Sequence, residues 1–78
     1  MPYRPGVLEQ LLKHGVRPGE DTPPAVVRAF LNDLYRYELR RLRDRLLAGE
    51  IAKPDYAAHV MRLRERYALL SLPVRFWT

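Results

Sequence analysis

The side chains of this sequence with chemical capability include two imidazoles, one serine hydroxyl, nine carboxylates, and twelve guanidinium groups. His14 and His59 lie in separate segments, and neither is followed three or four residues later by a second imidazole or a carboxylate. That spacing is what a helix needs to aim two metal ligands from one face, and Glu9, five residues before His14, misses it. Ser71 is the sole serine, with no His or acid placed by sequence to activate it as a nucleophile. The four Gly residues are scattered and form no phosphate-cradling loop. Cys is absent, which removes disulfides, thiolate metal sites and thiol catalysis together. No catalytic residue, no metal site and no cofactor is therefore expected, and the chain reads as a non-enzyme.

Arg is the one unusual content. Fourteen Lys+Arg against nine Asp+Glu leave a net charge of +5, and twelve of the fourteen are Arg. Residues 36–45 hold five Arg against Glu38 and Asp44, a net +3. Arg36, Arg40 and Arg43 share one helical flank, while Arg62 and Arg66 belong to the next helix. As a ligand surface, these five arginines form a phosphate-binding stripe with strong salt dependence. As plain exterior, they are laced by Arg40–Asp44, Asp33–Arg36 and Arg62–Glu65 pairs at helical spacing. The solvated exterior is the preferred reading, and an Arg-rich, Cys-free chain also fits a GC-rich or thermophilic source. Glu38 falls inside an apolar stripe and is expected to pair with Arg41 or with an Arg from a neighbouring element.

The elements that carry these groups are helical. Turn formers divide 78 residues into one small domain: a helix and Pro/Gly-rich loop over 1–22, a hairpin over 23–70 and a tail over 71–78. Pro2, Pro5 and Gly6 hold the start out of regular structure, and a short helix spans about 7–14, with Val7, Leu8, Leu11 and Leu12 on one face and Gly15 after its end. Thr22 caps a long helix of about 23–48, closed by Gly49. Pro54 and Asp55 open a third helix that runs over about 54–70 and stops before Pro73. No strand alternation and no hairpin turn appear, so the class is all-α. At 47% hydrophobic and 29% charged, with no apolar run near a membrane span, the composition is that of a soluble chain. Met1-Pro2-Tyr3-Arg4-Pro5 lacks the apolar region of a signal peptide, so a cytoplasmic location is expected.

The two long helices carry matching stripes. Tyr35, Leu39, Leu42 and Leu46 on one, and Tyr56, Val60, Leu63, Tyr67 and Leu70 on the other, alternate at four and three residues. The short link makes the helices antiparallel, so Leu46 meets Tyr56 and Tyr35 lies toward Leu70, with Ile51 over the open end. Met61 reads as ordinary core. A second stripe of Val27, Phe30, Leu31, Leu34 and Tyr37 is displaced by about 80° and needs its own partner.

Residues 39–70 resemble the bacterial helical-hairpin module called SHOCT. The matching positions are Leu39, Leu42, Leu46, Leu47, Gly49, Ile51, Asp55, Tyr56 and Leu63; the turn departs from the family, with Ala52-Lys53-Pro54 where it usually has Thr or Ser before an acidic pair. The resemblance implies an oligomerisation or protein-interaction role and carries no catalytic residues. Residues 1–38 resemble no family.

Together these readings predict a small interaction module that forms a homodimer or larger assembly, or binds a protein partner. Its contact surface is expected at Val27, Phe30, Leu31, Leu34 and Tyr37, with the Phe76-Trp77 tail close enough to join. The alternative is a basic nucleic-acid-binding protein using Arg36, Arg40, Arg43, Arg62 and Arg66. Neither a membrane nor a small-molecule substrate is expected.

Overall fold

In a computed structural model, residues 3–78 fold as three α-helices with no strand among the described residues: α1 (Pro5–Lys13), α2 (Pro24–Leu47) and α3 (Lys53–Arg66). Two 3₁₀ turns, Ala68–Ser71 and Val74–Phe76, follow α3. The all-α class and the short helix followed by a long hairpin agree with the sequence reading. Pro2 lies outside the described residues, but Pro5 opens α1 rather than delaying it. A first-turn N–H has no intrahelical partner, so the pyrrolidine loses nothing there.

Both long-range turns are set by glycine. Gly15 and Gly49 adopt φ of +73° and +79°, the left-handed region that follows a helix end. After α1, Gly15 N–H donates to the Leu12 carbonyl and Val16 N–H to the Leu11 carbonyl, both at 2.9 Å. After α2, Gly49 N–H donates to Leu46 and Glu50 N–H to Arg45, at 3.1 and 2.9 Å. This repeated pair of bonds satisfies carbonyls that a helix end otherwise leaves open. The start of α2 differs from expectation. Pro23 occupies the cap, and the Thr22 hydroxyl instead accepts the Gly19 N–H at 2.9 Å, tying down the preceding loop.

α2 and α3 lie antiparallel. Arg28, in the first turns of α2, donates to the Leu70 carbonyl at 3.0 Å, and the Tyr35 and Tyr67 rings meet at 5.2 Å. Leu63 is buried at the seam, Leu39 and Leu42 pack half-buried against the core, and Ile51 is buried at the turn. Met61 was expected in the core and is instead 61% exposed, because its place on α3 turns it away from the Leu63–Tyr67 face.

The third helix is shorter than its sequence pattern. It ends at Arg66, and Tyr67 leaves helical geometry at φ −108°, ψ +29°. In an unbroken helix Leu69 would lie about 120° from Leu63 and face solvent. The 3₁₀ turn rotates Leu69 into the core, where it is buried. The chain then doubles back, so that the Trp77 carbonyl accepts the Arg4 N–H at 2.8 Å and the Trp77 indole donates to Leu72 at 3.0 Å. One core cluster results, joining Tyr3, Val7, Leu11 and Val16 to Val27, Leu31, Leu63, Tyr67, Leu69 and Trp77. The molecule is a rod of 45 × 17 × 16 Å with its core at one end and the α2–α3 turn at the other.

Candidate functional site

Three surfaces bear on function: the outer face of α2, the arginine flank, and the junction where all three helices meet.

The displaced stripe of α2 is divided by the fold. Val27 and Leu31 are buried in the chain's own core, Leu34 packs half-buried against it, and Trp77 is fully buried. Val27, Leu31 and Trp77 are therefore not a free contact surface, because α1 and the returning tail already cover them. Phe76 is 40% exposed, but it lines a groove with Val7, Leu69 and Leu72, away from α2. Phe30 and Tyr37 remain outside, 53% and 55% exposed. Val26, at 58%, joins them. Its spacing of four residues from Phe30 and eleven from Tyr37 puts it on the same helical face. Sequence reasoning missed Val26 by centring the stripe on Val27, although the periodicity was present. The Arg41 guanidinium lies over the Tyr37 ring at 5.9 Å, within cation–π reach.

The five arginines do not form one stripe. Arg36, Arg40 and Arg43 are exposed on the outer flank of α2. Arg62 and Arg66 line an open cleft on another side, together with Lys13 and Arg45 and without any of those three. The expected pairs Arg40–Asp44, Asp33–Arg36 and Arg62–Glu65 are absent. Among the described residues the ion pair that forms is Arg66–Glu38, at 3.4 Å. Glu38 thus takes its partner from α3, not Arg41 from its own helix.

The helix junction centres on that carboxylate. Glu38 accepts the Tyr67 hydroxyl as well as the Arg66 guanidinium. Burial raises the Tyr67 phenol well above the ordinary tyrosine range; the bond to Glu38 and its negative charge add to this, and Arg66 works the other way. His14 stacks on Tyr67 with ring centroids 4.2 Å apart and donates through Nε2 to the Arg66 carbonyl at 2.7 Å. His14 from the end of α1, Arg66 and Tyr67 from the end of α3, and Glu38 from mid-α2 thereby lock the three helices. Beside this lock, the cleft of about 830 Å³ runs between α1, α2 and α3. Lys13 and Arg45 were missed as site residues, and no local signal could have found them, since the cleft exists only once three segments meet. The Ser71 side chain is exposed, and no group of three or more His, Asp or Glu among the described residues could hold a metal ion. No described helix is long and apolar enough to cross a membrane.

Compared with protein-family models, with curated proteins and with solved structures, the chain matches none.

Proposed function

We propose that this chain is a small, non-enzymatic interaction module of the cytoplasm that self-associates through the outer face of α2. The observation that carries the reading is the exposed row of Val26, Phe30 and Tyr37, left uncovered after the chain has filled its own core. A second copy is the occupant favoured by charge and area. Asp33 sits between Phe30 and Tyr37 on that face, and Arg36 and Arg40, free of ion pairs among the described residues, follow within two turns. An antiparallel twofold contact brings each Asp33 toward the Arg36 and Arg40 of the other copy while the aromatic rows meet.

Surface area argues the same way. The chain exposes 5736 Å², whereas a monomer of 9.2 kDa ordinarily exposes about 4,900 Å². The excess, about 800 Å², goes with the rod's 45 × 17 × 16 Å shape and leaves room for a contact of the size one partner contributes to a standard interface. The resemblance of residues 39–70 to the SHOCT hairpin supports the same class of role, and the His14 imidazole is engaged in a hydrogen bond that joins α1 to the end of α3. Separation of the outer arginine flank from Arg62 and Arg66 weighs against a nucleic-acid track, which needs a continuous basic surface.

Light scattering over tens of micromolar tests the proposal. The expected mass is twice 9.2 kDa, and Phe30→Glu, at a half-exposed position, is expected to return the single-chain mass with its helical circular dichroism intact. A single-chain mass at every concentration, or a Phe30→Glu variant that still doubles, overturns it.

A further inference from the structure

We propose that the cleft between α1, α2 and α3 binds a compact, multiply charged phosphate anion, with pyrophosphate as the simplest representative. The walls bring four cations to one space: Lys13 from the end of α1, Arg45 from the last turn of α2, and Arg62 and Arg66 from α3. One carboxylate, Glu65, shares the lining, and Glu38 reaches Arg66 from the adjoining recess, so the local balance is +4 − 2 = +2. Glu65 makes no ion pair among the described residues. Like charges gathered in this way repel, and a bound polyanion relieves the repulsion.

Two of the cations are held in place before any ligand arrives. Arg62 donates to Nδ1 of His59 at 3.2 Å. That bond requires a lone pair on Nδ1, which leaves Nε2–H of His59 as a further donor at the cleft wall. Arg66 is held by Glu38 through a single guanidinium nitrogen, leaving the rest of its fork free. Anchored guanidinium groups lose less side-chain entropy on binding, and their planar forks match phosphate oxygens in pairs.

Shape selects a compact ligand over a strand. The cleft, about 830 Å³, falls within the size of small-molecule sites, roughly 300–1,000 Å³. Leu42 is its one aliphatic wall residue, and every other lining side chain carries a polar or charged head. Arg36, Arg40 and Arg43, which a phosphodiester backbone would need as a continuing track, lie outside it.

The test is calorimetric titration of the full chain with pyrophosphate at low salt, using two double variants that remove equal charge at exposed positions. Arg45→Gln with Arg62→Gln is expected to weaken binding by on the order of tenfold or more. Arg17→Gln with Arg43→Gln, both exposed and off the cleft, is expected to change it by no more than about twofold. Three results overturn the proposal. One is the absence of pyrophosphate binding by the unmodified chain, and another is an equal loss in both variants, which means diffuse charge attraction. The third is tighter binding of a single-stranded oligonucleotide that survives the cleft substitutions, which assigns the arginines to nucleic acid instead.

Discussion

Replacing Trp77 with Ala tests the core most directly. The indole is fully buried, and its N–H satisfies the Leu72 carbonyl at 3.0 Å. Loss of so large a buried side chain costs about 3–5 kcal/mol, because the lost transfer energy is joined by the energy of the cavity left behind. The unpartnered Leu72 carbonyl adds about 1 kcal/mol. A chain of 78 residues has a total stability of about 4–12 kcal/mol at the usual stability per residue. Trp77→Ala is therefore expected to remove a third of that stability at least, and all of it at the lower end. For a domain of this size each kcal/mol shifts the melting temperature by about 4–8 °C, so the drop should be at least about 16 °C. Thermal circular dichroism measures it, and Phe76→Ala is the control. Phe76 is already 40% exposed, so its truncation should cost about 1 kcal/mol. The reasoning is refuted if the two neighbouring substitutions lower the melting temperature equally. Since Trp77 is the sole tryptophan, its emission also reports directly: blue-shifted in the native state, red-shifted on unfolding.

Alkaline stability should depend on the helix junction. Burial and Glu38 raise the folded-state Tyr67 phenol, and burial raises Tyr3 in the same direction. A raised acid contributes stability that is complete below the ordinary value of about 10 and is lost as pH climbs from there toward the folded value. Tyr67→Phe is expected to cost about 1 kcal/mol near neutrality and to flatten the alkaline fall in melting temperature; a fall as steep as that of the unmodified chain refutes the assignment. Two glycines should respond with opposite signs. Gly49→Ala meets no atom within 4 Å but sits at φ +79°, so strain alone should destabilise by about 1–2 kcal/mol. Gly6→Ala, also unobstructed and inside α1, should stabilise by up to about 1 kcal/mol, and denaturant titration of both variants checks the contrast.

Much of the architecture is legible in local chemistry. Gly15 and Gly49 mark their helix ends because only a residue without a Cβ enters the left-handed region cheaply. The alternation of Tyr35, Leu39 and Leu42 with Leu63 and Tyr67 implies an antiparallel seam, since the link is too short for any other arrangement. These signals act over a few residues and so can be read without the fold. Where α3 ends is not local: Leu69 gains burial by abandoning helical periodicity, and that gain depends on what α1 and the tail have brought nearby.

The surfaces follow the same division. Sequence periodicity alone determined that α2 has an apolar face in excess of what the hairpin covers. Only tertiary structure decided how that face is shared. α1 and the returning tail join Val27 and Leu31 in a core completed by Trp77, leaving Val26, Phe30 and Tyr37 outside. Charge behaved alike. The Arg excess is a property of composition, but its separation into an outer flank and a cleft arises from where three helices meet. The hairpin sets Arg45 near Arg62, whereas Lys13 joins them for a separate reason. The Glu38–Tyr67–Arg66–His14 lock draws the end of α1 against the hairpin, and no spacing within any one segment encodes that contact.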